Sequence, residues 1–134
     1  MVKALDLING YECQTTITNG VVGEWEWVNP PTRLGVEYRT TERYNGQPVY
    51  TMLTNCGLLG SSNTDVNTSI PISATILRHT ETVYSLSMPL YYPYGQTTLY
   101  CQYNNASNGF KVIEMFGHPD YADRPVVSQA WYAK

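Results

Sequence analysis

The feature that most constrains the fold of this chain is a strict two-residue alternation that runs from Gly35 to Tyr44. One set of positions holds Val36, Tyr38, Thr40 and Glu42, and the other holds Glu37, Arg39, Thr41 and Arg43. A period of two is that of an extended strand, whose side chains point alternately to opposite faces. Asn45-Gly46 follows, and both residues tolerate the positive φ that a tight hairpin requires. The block therefore predicts a β-hairpin whose partner strand is Pro48 to Leu53.

The rest of the chain shows the same kind of patterning. No window keeps apolar residues at i, i+3, i+4 and i+7, whereas β-branched and aromatic residues recur in short blocks separated by Asn, Gly and Pro. Turn-rich stretches are Gly60–Asn67 and Asn104–Gly109. The predicted strands are Glu12–Thr18, Glu24–Val28, Gly35–Tyr44, Pro48–Leu53, Thr68–Leu77, Thr82–Pro89, Gln96–Tyr103, Gly109–Met115 and Pro125–Trp131. Short strands with regular turns predict an all-β fold, an antiparallel β-sandwich or jelly roll.

Length and charge limit the classes of function. The 134 residues suit a single domain spanning residues 1–134. The net charge is −3, without a run of either sign, which argues against nucleic acid or an anionic membrane as a partner. No apolar stretch approaches the ~20 residues that cross a bilayer, so we expect no membrane insertion. The N-terminus lacks the apolar region of a signal peptide.

Polarity comes from neutral side chains and from tyrosine. Charged residues make up 14% of the chain, and there are 12 Tyr against 2 Phe. Such a surface is typical of recognition, because tyrosine rings tolerate partial exposure and are enriched at interfaces. The three cysteines, Cys13, Cys56 and Cys101, are far apart in the sequence and form no Cys/His motif with zinc-ligand spacing. Isolated buried thiols are favoured over one disulfide with a leftover thiol, and no metal or other cofactor is expected.

A family resemblance covers residues 24–134. Five parts of the chain resemble segments of tail-fibre proteins from bacteriophages and prophages of Gram-positive hosts. They are the segment Trp25–Pro31, the hairpin segment Gly35–Thr51, the Gly57-Leu58-Leu59 turn, the Met88–Tyr92 stretch and the Trp131–Lys134 terminus. The resemblance implies a C-terminal β domain at the tip of a trimeric fibre, with residues 1–23 as a lead-in. It also implies attachment to a host-surface glycan, location in the virion, and synthesis in the bacterial cytoplasm.

Aromatic residues are the first candidates for ligand binding. In a single strand, Trp25 and Trp27 would face the same side, as a sugar-stacking platform requires, although a pair of packed tryptophans in the core or a subunit interface is favoured. Tyr91, Tyr92 and Tyr94 surround Pro93 in a predicted turn that would present their phenols outward, with a plain packed turn as the alternative.

A second candidate is the stretch from His118 to Pro125, which lies between two predicted strands. Its polar groups are the kind that hydrogen-bond sugar hydroxyls, with an ordinary solvated loop as the alternative. The candidate ligand-binding residues here are His118, Asp120, Tyr121, Asp123 and Arg124.

Enzyme motifs are absent from the sequence. There is no nucleophile elbow, no His-Glu-x-x-His and no phosphate-binding glycine loop, and the acid pairs Glu24/Glu26 and Asp120/Asp123 are weak signals for glycoside hydrolysis. We expect no catalytic residue and a non-enzymatic attachment domain that forms homotrimers. The alternatives are a purely structural trimerisation domain and, less favoured, a polysaccharide depolymerase.

Overall fold

The computed structural model describes residues 1–5, 10–31, 33–59, 64–83, 99–117 and 124–134. Regular structure in these residues consists of strands alone, which confirms the predicted all-β class. No helix in the described ranges is long and apolar enough to span a bilayer. The strands are β1 (Val2–Leu5), β2 (Glu12–Thr15), β3 (Ile17–Thr18), β4 (Val21–Val22), β5 (Glu26–Trp27), β6 (Glu37–Tyr44), β7 (Gln47–Leu58), β8 (Thr64–Pro71), β9 (Thr75–Val83), β10 (Leu99–Asn105), β11 (Phe110–Gly117) and β12 (Pro125–Ala133).

The predicted hairpin is present. Tyr44 pairs with Gln47 across the two-residue turn Asn45-Gly46, whose φ values are 48° and 77°. Two successive positive φ angles are those of a type I′ turn, whose twist suits a tight hairpin. The predicted alternation in β6 is also present, because Tyr38 and Thr40 are buried whereas Arg39 is half-buried.

The strands form two main sheets and one small ribbon. The larger sheet has the order β1-β2-β5-β6-β7-β12-β9, and the smaller has the order β10-β11-β8. Neighbours are antiparallel except β5 and β6, which form a parallel bridge between Trp27 and Thr40. Strands β3 and β4 form a separate two-stranded ribbon. The long C-terminal strand β12 lies between β7 and β9, so it is hydrogen-bonded on both edges.

Side chains from both main sheets meet in the core. One buried cluster joins the larger sheet to Ile70 of β8, and its members are Met52, Ile70, Ala74, Ala130 and Tyr132. A second cluster joins the larger sheet to β11, and its members are Cys56, Leu59, Ile113, Met115 and Val126. This shared core gives the molecule a sandwich-like arrangement, in which each sheet buries one face against the other.

Several predicted strand boundaries are wrong. The predicted strand Thr68–Leu77 is broken by a turn in which the Ala74 N–H donates to the Pro71 carbonyl at 3.0 Å, because the chain leaves the smaller sheet there and enters the larger one. The predicted strand Glu12–Thr18 is divided at Thr16 into β2 and β3, since β3 pairs with β4 and not with the sheet. Part of the predicted turn Gly60–Asn67 belongs to β8, which pairs with β11 from Thr64 onward.

The three cysteines are free thiols, as the favoured interpretation predicted. Cys56 is buried, whereas Cys13 and Cys101 are only half-buried. Burial raises the pKa of the Cys56 thiol to about 11. A thiol with a raised pKa is a poor nucleophile at neutral pH, so Cys56 acts as a packing residue of the second core cluster.

Candidate functional site

A polar groove lies where β2, the segment leading into β5 and the outer face of β6 come together. Its volume is about 460 Å³. Two hydrogen bonds join the end of β2 and the residue after it to the segment before β5. The Thr15 hydroxyl donates to the Glu24 carbonyl at 3.1 Å, and the Gly23 N–H donates to the Thr16 carbonyl at 2.8 Å. The lining residues are Met1, Gln14, Thr15, Thr16, Gly23, Glu24, Glu26, Arg39, Thr41 and Arg43.

Two arginines and two glutamates form an ion-pair network in this groove. Arg39 donates from Nε to Oε1 of Glu26 at 3.1 Å, and its Nη1 contacts Oε2 of Glu24. Nη2 of Arg43 contacts the same Oε1 of Glu26. The side chain of Glu26 is only 12% exposed, so one half-enclosed carboxylate is shared by two guanidinium groups. The network therefore holds both arginines at defined positions along the groove.

Charge in the groove favours the ionised form of Arg39. Partial burial opposes that form, but the hydrogen bond that Arg39 donates to Glu24 and the charges of Glu24 and Glu26 outweigh it and raise the pKa of the guanidinium. The groove thus contains fixed donors and acceptors at neutral pH. Such groups can bind neutral polar ligands, whose hydroxyls both donate and accept hydrogen bonds.

Alternation in β6 explains why the network faces the groove. Arg39 and Thr41 lie on the face opposite Tyr38 and Thr40, which are buried. In the neighbouring strand β5, Glu26 contacts the arginines while Trp27 packs edge-to-face on Tyr38, with ring centroids 5.6 Å apart. The same parallel pairing of β5 with β6 therefore builds a polar face and an aromatic face.

The two tryptophans do not lie in one strand, as the less favoured platform interpretation would require. Only Glu26 and Trp27 belong to β5, so Trp25 lies outside the strand and the alternation argument does not apply to it. Trp27 is half-buried and contacts Tyr38 and also Tyr11, whose ring centroid is 6.5 Å away. Trp25 is 42% exposed. Trp27 is thus a packing residue, and Trp25 remains available to a ligand.

Most of the other predicted binding residues lie outside the described ranges. The residues concerned are Tyr91, Tyr92, Tyr94, His118, Asp120, Tyr121 and Asp123. Arg124 lies within them, directly before β12, and its carbonyl accepts the Leu59 N–H at 2.7 Å. Strands β6 and β7 separate β12 from β5, so Arg124 and Trp27 belong to different parts of the larger sheet. The arginines and glutamates of the groove were not predicted to form a binding site, although the alternation in β6 places Arg39 and Arg43 on one face.

A second cluster of polar side chains lies between the two main sheets. His79 and Glu81 of β9 and Cys101 of β10 each offer one potential metal-ligand atom, and these atoms lie within 4.8 Å of one another. Folding therefore places Cys101 beside a histidine that is distant from it in the sequence. Burial and a hydrogen bond to Glu81 raise the pKa of the Cys101 thiol.

The chain matches no protein-family model, no curated protein and no solved structure. The resemblance to tail-fibre proteins, and the attachment function that it implies, therefore remain predictions.

Proposed function

We propose that this chain is a non-enzymatic attachment domain of a phage or prophage tail fibre, and that it binds a host cell-surface glycan in the polar groove. The observation that carries the proposal is the fixed network of Glu24, Glu26, Arg39 and Arg43 in a groove of about 460 Å³. Trp25 is exposed and lies between the two glutamates in the chain, so its indole is a candidate contact for a sugar that extends beyond the groove lining, to which Trp25 does not belong.

The chemistry of the groove suits a sugar better than a charged ligand. Carboxylates accept hydrogen bonds and guanidinium groups donate them, so adjacent sugar hydroxyls find both kinds of partner. Because the glutamates balance the arginines, the groove does not present an excess of one sign that would select an anion or a cation. An exposed indole can pack on the apolar face of a sugar ring.

The same geometry supports a binding role over hydrolysis. Glycosidases use two carboxyl groups that face each other across the bond to be cleaved, with open space between them for the sugar. Here Glu24 and Glu26 both contact one guanidinium, that of Arg39. A substrate would have to displace Arg39 to lie between them, so a depolymerase acting through this pair is the weaker alternative.

Assembly into a homotrimer is part of the proposal. The ribbon formed by β3 and β4 carries apolar side chains in solvent, with Ile17, Val21 and Val22 each more than half exposed. Apolar groups on a projecting ribbon favour contact with another copy of the chain. In a fibre, such a domain would be carried in the virion after synthesis in the bacterial cytoplasm. A role in trimerisation alone, without glycan binding, is the second candidate that this ribbon supports.

Binding to purified host cell-wall polysaccharide, immobilised on a sensor surface, tests the proposed function. Arg43→Gln removes a groove donor and should weaken binding by about tenfold or more. Arg33→Gln is the matched control, because Arg33 is exposed and lies outside the groove lining. Trp25→Ala should weaken binding less than Arg43→Gln does, because Trp25 is not among the residues that line the groove. Equal binding by Arg43→Gln and Arg33→Gln would place the ligand elsewhere.

Two further measurements separate the alternatives. Release of reducing ends from the polysaccharide, lost in Glu26→Gln, would favour the depolymerase. Light scattering on a size-exclusion peak should give three times the chain mass of 15.1 kDa. A trimer without glycan binding would favour the purely structural role, whereas a trimer with binding should show avidity on a densely coated surface.

A further inference from the structure

The cluster of His79, Glu81 and Cys101 combines three kinds of donor atom. His79 and Glu81 are two residues apart in β9, so their side chains leave the same face of the strand. Nδ1 of His79 and Oε1 of Glu81 are 2.6 Å apart, and Sγ of Cys101 completes a set whose atoms all lie within 4.8 Å of one another. Imidazole nitrogen, carboxylate oxygen and cysteine sulfur are the three donors that zinc takes from proteins.

The spacing of these atoms is close to that of a tetrahedral site. With zinc–ligand bonds of about 2.0–2.3 Å, two tetrahedral ligands lie about 3.4 Å apart. The His79–Glu81 separation would have to open from 2.6 Å, and the separations from Cys101, which are within 4.8 Å, would have to reach the same value. Binding would therefore require these side chains to rotate from their present positions.

Among the described residues, no arginine or lysine is paired with Glu81. Its side chain is 14% exposed, and among the described residues it forms an ion pair only with His79, which is charged only when protonated. By contrast, Glu26 contacts two arginines and Glu42 is bound by Arg78 through both of its oxygens. The partners of Glu81 are His79, Ser128 and Cys101, none of which carries a permanent positive charge.

The surroundings hold the ligands in place and leave one side open. Ser128 donates from Oγ to Oε1 of Glu81 at 3.2 Å, and the ring of Tyr103 lies 5.1 Å from the ring of His79. Hydrogen bonds to ligating groups of this kind orient metal ligands in known sites. His79 also lines an open groove with Gln102 and Tyr103, through which an ion and a water ligand could enter.

We propose that His79, Glu81 and Cys101 bind a divalent transition-metal ion of the zinc class, with a water molecule or a ligand from the groove in the fourth position. The ion connects β9 of the larger sheet to β10 of the smaller sheet, two strands that share no backbone pairing. It therefore crosslinks the two layers of the molecule at an edge where only side chains join them. The proposal does not depend on the glycan-binding groove, which involves β2, β5 and β6.

Titration of the reduced, metal-free full-length chain with Co²⁺, a spectroscopic substitute for Zn²⁺, tests this proposal. We expect a one-to-one complex with a sulfur-to-cobalt charge-transfer band in the near ultraviolet, which Zn²⁺ then abolishes by competition. Cys101→Ser should lose the band. Cys13→Ser is the matched control, because Cys13 is also a half-buried thiol but lies in β2, and it should keep the band.

A second measurement covers the case in which Cys101→Ser fails to fold. His79→Gln and Glu81→Gln should each weaken Co²⁺ binding by at least about tenfold while the near-ultraviolet circular dichroism of the metal-free protein is retained. Zn²⁺ at a hundredfold excess over its Kd should raise the Tm of the unaltered chain by about 10 °C. Three outcomes would each overturn the proposal: the unaltered chain shows no charge-transfer band, the band survives in Cys101→Ser, or Cys13→Ser loses the band to the same extent as Cys101→Ser. The cluster would then be joined by hydrogen bonds alone.

Discussion

The hydroxyl of Tyr132, near the end of the last strand, donates a hydrogen bond to Oε2 of Glu37, the first residue of β6. Tyr132 is fully buried, and this burial is the main cause of the raised pKa of its phenol. The nearby Glu37 carboxylate raises that pKa further. Oε1 of the same carboxylate accepts from Nζ of Lys134 at 2.7 Å. The ring of Tyr132 stacks on that of Tyr50 in β7, with centroids 6.1 Å apart. The C-terminus is thus joined to two preceding strands by both polar and aromatic contacts.

Substitution of Tyr132 separates these contributions. Tyr132→Phe keeps the ring and removes the donor, so we expect a loss of about 1–3 kcal/mol in the free energy of unfolding, because the partly buried Glu37 loses a partner. Tyr132→Ala also removes the ring from the core and should cost about 3–5 kcal/mol. Urea denaturation measures both values.

Tyr44→Phe provides the control for this pair, since Tyr44 lies in β6 but is 44% exposed. It should change the free energy of unfolding by less than about 0.5 kcal/mol. If Tyr132→Phe is as stable as the unaltered chain, the hydrogen bond to Glu37 makes no net contribution and the packing of the ring alone holds the strand.

The turn Asn45-Gly46 gives a second prediction. Gly46 has a φ of 77°, and a Cβ added there would meet no heavy atom within 4 Å, so a substitution acts through backbone strain alone. Gly46→Ala should lower the free energy of unfolding by about 1–2 kcal/mol. Asn45→Gly at the adjacent position should have a smaller effect, because glycine accepts its φ of 48°. Thermal melts of the two variants measure the difference, and equal Tm values would show that the turn relaxes to another type.

Local sequence signals were enough to predict this hairpin and the all-β class. Both the turn Asn45-Gly46 and the alternation in β6 depend on neighbouring residues, and the structure retains them. The ribbon of β3 and β4 was missed, although its turn also uses Asn-Gly, at Asn19-Gly20, with φ values of 50° and 79°. Its strands contain two residues each, which is too short for a period of two to be recognised.

Features that depend on tertiary pairing could not be predicted. The break after Pro71 occurs because the chain changes sheets, and no local pattern records which sheet a strand will join. The same holds for the cluster at His79. Alternation places Glu81 on the same face as His79, but Cys101 arrives from a strand of the other sheet. The contacts of Glu26 with Arg39 and Arg43 likewise depend on the parallel pairing of β5 with β6.

The ion pair between Glu42 and Arg78 predicts a dependence of stability on pH. The hydrogen bonds from Arg78, at 2.8 and 3.0 Å, lower the pKa of the Glu42 carboxyl below its ordinary value of 4.5. A lowered pKa in the folded state means that this stabilisation is present above pH 4.5 and is lost as the pH falls through the folded-state value. Because both side chains are nearly half exposed, the pair should contribute only about 0.5 kcal/mol.

Comparison of Glu42→Gln with the unaltered chain checks this dependence. Urea unfolding at pH 7 should show the small difference in stability, and unfolding at pH 3 should show a smaller one. Glu12→Gln is the control for removing a carboxylate that has only a weak ion pair. The Glu12 carboxylate lies 3.6 Å from Nζ of Lys3, whose side chain is largely exposed. A difference between the unaltered chain and Glu42→Gln that stays constant from pH 7 to pH 3 would show that the carboxylate charge is not its source.

The last prediction compares truncations at the two ends of the chain. Removal of residues 131–134 deletes the half-buried Trp131 and the fully buried Tyr132 and shortens a strand that is paired on both edges. The free energy of unfolding should fall by at least the ~3–5 kcal/mol that truncation of one buried ring costs. Because the whole free energy of unfolding of a small domain is ~5–15 kcal/mol, the truncated chain should be partly unfolded or aggregated. Removal of residues 1–4 deletes most of β1, an edge strand whose residues are all exposed, and should change the Tm little. Thermal melts and size-exclusion chromatography of both truncations measure the contrast. A C-terminal truncation that keeps the Tm and size of the full chain would show that β12 does not organise the core.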